Sequence, residues 1–227
     1  MGEAGTLSGV RLAFFDLDKT ILSINSGSLW VRREFVLGNL SGRDALRATR
    51  WLAQYTLGLA SAASMVEEAV ATLKGTRGDA LRERTRRFYE NEVRHTYRPG
   101  ALEAIERHRA AGDRLVMLTS STHYLAALVA AELRFDAVCA NELELDAAGL
   151  HTGGIVGGAC FGEGKVTHAQ RVAQTLALPL EAATFYTDSF SDLAVLERVA
   201  EPVAVNPDVR LKRHAQRRGW QVADWGS

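Results

Sequence analysis

Phe15-Asp16-Leu17-Asp18-Lys19-Thr20 closes an apolar run that begins at Val10, and the reading of these six residues decides the fold. Val10 to Phe15 carries one arginine among apolar residues and stops at an aspartate. That is the pattern of a short, buried parallel strand delivering Asp16 to its carboxyl end. Asp16 and Asp18 then leave the strand two residues apart, close enough to reach one divalent cation while one of them faces a substrate. The same Asp-x-Asp is frequent in surface turns, where aspartates satisfy local backbone donors. Taken alone, the pair does not choose between the two.

Outward from the pair, the texture changes after Ile21-Leu22, where apolar spacing turns helical. Ser26 or Ser28 could cap a helix through Val36 that stops at Gly38, and Ser41 could cap a second to about Leu57. Two more are predicted over Ala62 to about Leu73 and Gly78 to about Val93, with Pro99-Gly100 closing the segment. Residues 23–98 therefore read as an all-helical insertion after the first strand, with 1–22 and 99–227 forming the core. From Ala101 helices alternate with strands: helix 101–111, strand Arg114 to Leu118, helix Thr122 to Leu133, strand Phe135 to Cys139. Helix 164–177, strand Thr184 to Thr187, helix 192–199 and strand Val203 to Val205 continue the series. This alternation predicts an α/β fold with a parallel sheet and crossover helices. A small hairpin, Leu143 to Leu145 and Thr152 to Val156, interrupts it around Asp146-Ala147-Ala148-Gly149.

Three further stretches offer chemistry at strand ends or helix starts. Leu115 to Leu118 breaks into Thr119-Ser120-Ser121, where free amides and a hydroxyl would cradle phosphate, unless Ser121 or Thr122 merely caps the next helix. Lys165 follows Gly162-Glu163-Gly164 and opens a helix, an unfavourable end for a cation, although a lone loop lysine is usually just solvated. Thr184 to Thr187 ends in Asp188, with Asp192 four residues later, either as a further functional acid or as the cap of the following helix. In a parallel sheet the carboxyl ends of the strands face one crevice. Together these groups supply a carboxylate nucleophile, a second and a metal-binding carboxylate, a hydroxyl and a lysine, the kit of phosphoryl transfer.

The whole chain sets wider bounds. Its 227 residues are 47% hydrophobic and 24% charged, an ordinary globular composition. With 27 basic and 27 acidic residues there is no net field to draw it to nucleic acid or an anionic membrane. Residues 23–98 hold 13 basic against 8 acidic residues, leaving 14 against 19, a division that suits an anionic substrate. Cys139 and Cys160 show neither metal spacing nor a disulfide framework and read as reduced structural thiols. No 18-residue apolar stretch and no signal-peptide pattern is present, so the expected location is cytoplasmic. Met1-Gly2-Glu3-Ala4-Gly5-Thr6 fits the loose myristoylation template but reads as a disordered leader.

Asp16-Leu17-Asp18-Lys19-Thr20, Thr119, Lys165 and Asp188-Ser189-Phe190-Ser191-Asp192, in that order, closely resemble the four motifs of the haloacid dehalogenase superfamily. The helical insertion resembles its first type of cap, and the hairpin before Lys165 resembles the phosphoserine phosphatase branch. Asn206-Pro207-Asp208 and Gly219-Trp220 are similar to bacterial members of that branch. The resemblance implies a Rossmann-like core and a magnesium-dependent phosphatase acting on a small phosphorylated metabolite. Asp16 would attack phosphorus to form an aspartyl phosphate, and Asp18 would protonate the leaving alcohol and later activate water. Asp16, Asp188 and the backbone carbonyl of Asp18 would hold Mg2+. Thr119, the Ser120 amide and Lys165 would neutralise the phosphoryl oxygens, with Asp192 orienting Lys165.

Three positions depart from the family pattern. Lys19 stands where a small residue is common, and Ser191 replaces a frequent asparagine. Asn25 occupies the place of the glutamate that grips the substrate amine in phosphoserine phosphatases, which counts against phosphoserine. Arg32, Arg33, Arg43, Arg47, Trp30 and Trp51 are available in the insertion, but solvated arginines and packing tryptophans account for them, and none is assigned to specificity. Two other readings stand beside the phosphatase: a phosphotransferase using the same intermediate, and a silent binding module, whose usual mark, loss of a motif carboxylate or lysine, is missing here.

Overall fold

A computed structural model describes residues 9–39, 42, 46 and 69–226 of the chain. Its centre is a six-stranded parallel sheet in the order β3-β2-β1-β6-β7-β8. The strands are β1 (Leu12–Phe15), β2 (Arg114–Thr122), β3 (Ala137–Asn141), β6 (Thr184–Thr187), β7 (Glu201–Val205) and β8 (Gln221–Ala223). The expected hairpin forms from β4 (Leu143–Leu145) and β5 (His151–Ile155). Helices α1 (Ser26–Val36), α2 (Gly78–Phe88), α3 (Pro99–Ala110), α4 (His123–Glu132), α5 (Glu163–Thr175), α6 (Leu193–Leu196) and α7 (Val209–Arg218) complete the elements used below. This is the α/β architecture the alternating pattern predicts.

The period of two along β1 explains why both faces of the sheet must be covered. Ala13 and Phe15 enter one core with Leu115, Met117 and residues of α3 and α4. Leu12 and Phe14 enter the other with Val116, Leu118 and residues of α5, α6 and α7. A strand with both faces buried reads as an unbroken apolar run, and each such phenylalanine contributes about 1.5–3 kcal/mol of burial. Pairing of Phe15 with Met117 on one side and Tyr186 on the other fixes where β1 ends. The Asp16 amide donates to the Tyr186 carbonyl at 2.9 Å, anchoring the first residue beyond the strand.

The segment between β1 and α3 leaves and returns at one place. Leu22 bridges Tyr97, Ser23 N donates to Thr96 O at 2.7 Å, and Arg98 N donates to Ile21 O at 2.8 Å. Within the segment, α1 and α2 are joined through Glu34, which is fully buried and paired with Arg33 at 3.1 Å and with Arg84. The expected helix capped by Ser41, most of the one over 62–73, and the residues Arg43, Arg47, Trp51 and Met1 to Thr6 lie outside the described residues.

Several boundaries differ from the sequence expectation for identifiable reasons. Asn25, not Ser26 or Ser28, caps α1, its side-chain oxygen accepting from Ser28 N at 2.8 Å. Pro99 opens α3 at its first turn instead of closing the preceding segment, as a residue with fixed φ and no N–H can. The helix over 78–93 widens into a separate turn at Tyr89–Val93, where Arg94 N donates to Tyr89 O five residues back. β2 continues through the three hydroxyl residues, with a shift of register against β3 between Leu118 and Thr122. Neither α7 nor β8 was expected, although Asp208 caps α7 and Gly219, at φ 68°, ends it. Among the described residues, no helix is long and apolar enough to cross a membrane. Cys139 and Cys160 are buried free thiols, and burial pushes Cys139 up to about 12.

Candidate active site

The carboxyl ends of β1, β2 and β6 bring the separated motifs together. Asp16 is 6% exposed, and its Oδ1 accepts from Lys165 Nζ at 2.8 Å. Lys165 comes from the first turn of α5 and is 2% exposed, so the solvated loop reading is excluded. Its Nζ also donates to Asp192 Oδ2 at 2.8 Å. Asp192 sits at the cap position of α6 but makes no side-chain capping bond. Its Oδ2 accepts instead from Lys165 and from Thr187 Oγ1 at 2.7 Å, while its buried Oδ1 has no hydrogen-bond partner among the described residues.

Asp188 is 8% exposed and follows β6 directly. Its amide donates to Thr20 Oγ1 at 2.9 Å, so the threonine behind the first aspartate pair locks the first and fourth motifs together. Asp208, which carried no role in the sequence reading, holds the same loop. Its amide donates to Asp188 O at 2.8 Å and its Oδ2 accepts from Phe190 N at 2.8 Å. The Asn-Pro-Asp punctuation ahead of an amphipathic helix was the available signal.

Asp18 lies on a tight turn over Leu17–Ile21 in which Lys19 takes φ 59°. Its Oδ1 accepts from Ser26 N at 2.6 Å and its Oδ2 from Ser121 Oγ at 3.0 Å. Ser121 therefore serves Asp18 rather than capping α4, and Thr122, at the cap position, makes no side-chain capping bond either. Thr119 is 1% exposed, and its Oγ1 accepts from Ser121 N at 3.1 Å. Ser120 is fixed through its carbonyl, which accepts from Asn141 Nδ2 at 2.6 Å, and Asn141 Oδ1 accepts from Cys160 N at 2.8 Å. Asn141 thus ties the hydroxyl loop to the turn before Lys165. The expected amides at a helix start are instead carried by an extended strand end.

The electrostatics follow from four buried or half-buried carboxylates around one buried ammonium. Burial raises Asp16 to about 7, against the pull of Lys165 and with help from Asp192. Burial, then Asp16 and Asp192, raise Asp188 to about 8, with Lys19 opposing. Asp18 is raised by burial, while Ser26 and Ser121 pull it back. Burial works to lower Lys165, but Asp16 and Asp192 outweigh it and hold the ammonium well above its ordinary value. Negative charge is in surplus here, and a surplus of buried carboxylate is neutralised by protons or by a cation.

Residues 13–197 match the haloacid dehalogenase-like hydrolase family. The chain belongs to that family. It is 26% identical to a histidinol-phosphatase of Neisseria meningitidis over 95% of this chain and 99% of that protein. A solved Bordetella pertussis protein of unknown function is 30% identical, with a TM-score of 0.87 over 96% of this chain and 99% of that one. A phosphoserine phosphatase solved with an analogue of a phospho-aspartyl intermediate shares the fold, at TM-score 0.70 and 16% identity over 96% of this chain and 94% of that one. Family and relatives make this haloacid dehalogenase-like chain a phosphoric monoester hydrolase.

Asn25 spends its side-chain oxygen on Ser28 N and Ser28 Oγ, both at 2.8 Å. Arg33 is committed to Glu34 and Glu92, and Trp30 packs edge-on against Phe88, as helix-packing roles require. Arg32 is exposed.

Proposed function

We propose that the chain hydrolyses a small phosphomonoester through a covalent aspartyl phosphate on Asp16. The observation that carries this is the convergence of Asp16, Lys165 and Asp192 at 2.8 Å contacts from three distant parts of the sequence. Lys165 meets one oxygen of Asp16, leaving the other free for in-line attack on phosphorus. The negative phosphoryl group would share the Lys165 ammonium and the Thr119 hydroxyl, the donors placed where its charge develops. Asp18, with Ser26 and Ser121 on its two oxygens, is the group that gives a proton to the leaving alcohol and takes one from the water that then attacks the aspartyl phosphate. Asp192 and Thr187 orient Lys165.

The donor set suits magnesium. Asp16 and Asp188 are acids raised above all by burial, Asp188 further by the charges of Asp16 and Asp192, and a hard divalent cation would relieve both. Among the described residues no three His, Cys, Asp or Glu side chains gather as a metal cage. Asp16 and Asp188 would supply two side-chain ligands and the backbone carbonyl of Asp18 a third, its carboxylate being engaged by serines. When bound, the cation would screen the Asp16 carboxylate from the phosphate and polarise the phosphoryl group. We further propose that residues 23–98 form the cap over a core of 1–22 and 99–227, in keeping with the paired crossing at Leu22 and Tyr97. The substrate is a small phosphorylated metabolite, and the use of Asn25 as a helix cap disfavours phosphoserine.

A phosphate-release screen over small phosphomonoesters with and without magnesium, with Asp16→Asn as control, tests the proposal. Magnesium-dependent release from at least one compound is expected. Release by Asp16→Asn equal to the parent would sink it.

A further inference from the structure

We propose that Ser26 and Ser121 are positioning residues that aim Asp18 at the leaving oxygen, so that the departure of a poor leaving group depends on them. This rests on the reading of Asp18 as proton donor. The torsion that turns an aspartate carboxyl is broad, so a carboxyl without partners samples many orientations. Here each oxygen receives its own donor: Ser26 N reaches Oδ1 at 2.6 Å and Ser121 Oγ reaches Oδ2 at 3.0 Å. The two donors arrive from unrelated parts of the chain, one at the first residue of α1 and the other at the shifted end of β2. Their hydroxyls lie 3.5 Å apart, and Ser26 is 2% exposed, so the Ser26 side of the contact is shielded from water. Ser121 is braced in turn, its amide donating to Thr119 Oγ1 at 3.1 Å.

The ordinary explanation for these serines, helix capping, fails for both. Helix capping does not account for Ser26, because Asn25 caps α1. It does not account for Ser121 either, whose hydroxyl goes to Asp18 while Thr122 holds the cap position of α4. What remains is a clamp on one carboxyl group. Because α1 belongs to the helical segment and Ser121 to the sheet, the aim of Asp18 is set jointly by both.

The test compares two substrates by kcat/KM, which covers the steps only as far as release of the alcohol. An alkyl phosphate that the enzyme turns over needs a proton on its leaving oxygen, whereas p-nitrophenyl phosphate does not. Ser121→Ala should lower kcat/KM about tenfold or more on the alkyl phosphate and less than about twofold on p-nitrophenyl phosphate. Ser121→Thr, which keeps the hydroxyl, should restore most of the alkyl rate. Ser26→Pro is a second, independent variant, since proline suits the first helical position but has no N–H to give Asp18, and it should show the same split. Equal losses on both substrates, or none on either, with Asp16→Asn inactive, would overturn the clamp while leaving the aspartyl-phosphate reading in place. Full turnover by Asp16→Asn would remove that reading and the clamp with it.

Discussion

The two carboxylates of the first motif sit two residues apart yet live in different environments. Asp16 is held by the sheet: its amide is bonded to β6 and its side chain to a buried lysine that Asp192 and Thr187 steady. Asp18 is half-buried and held by two serines, one of them at the start of a helix that leaves the core. The difference teaches how one strand end can serve two roles. A nucleophile needs a fixed position beside fixed positive charge, whereas a proton donor needs a set direction toward the leaving oxygen and no ammonium bonded to it.

The largest test of that contrast is Asp16→Asn, which should lower phosphate release by roughly 10⁴-fold or more, because no neighbouring group can replace the nucleophile. Asp18→Asn comes next, at roughly 10²–10⁴-fold on an alkyl phosphate. Similar losses on alkyl and nitrophenyl phosphates in kcat/KM would erase the proposed division of labour. Lys165→Met strips the ammonium from the Asp16 side alone, leaving two buried carboxylates unpaired. A destabilisation of about 3–5 kcal/mol is expected in chemical denaturation, and a much smaller value would mean that the buried network is looser than its 2.8 Å contacts imply.

Magnesium sharpens the comparison from the metal side. Asp16 and Asp188 are raised in the folded chain from 3.8 to about 7 and about 8. Between those limits the folded state binds more protons than the unfolded one, so without a cation stability falls as pH rises from about 4 through about 8. A cation that binds the ionised pair offsets that loss, so the rise in Tm on adding magnesium should be larger at pH 8 than at pH 5.5. Equal shifts at both pH values would count against Asp16 and Asp188 as the ligand pair. The smallest effect is expected from Asn25→Ala, about 1 kcal/mol for loss of the α1 cap in thermal or chemical unfolding. A large fall in kcat/KM from this variant without loss of stability would assign Asn25 to substrate after all.

The strand before Asp16, the alternation from Ala101 onward and the hairpin were legible because buried strands and amphipathic helices write their periods into the sequence. Asp16 and Asp188 were legible as candidates because each ends an apolar strand with a charged residue, Asp18 through its place beside Asp16, and Lys165 only through their company. The edge strand β8 was not, being three residues long and half exposed, with too little alternation to register.

Sequence by itself determined the order of the strands and helices and the residue types delivered to one end of the sheet, since local patterning acts over a few residues. Only the tertiary structure decided the partners. Lys165 became a buried counter-ion of Asp16 and Asp192, Ser121 turned from a helix cap into a ligand of Asp18, and Asn25 became the cap. The first two changes were made by groups 149 and 103 residues away along the chain, whose approach no local period encodes, and the third by a cap three residues long.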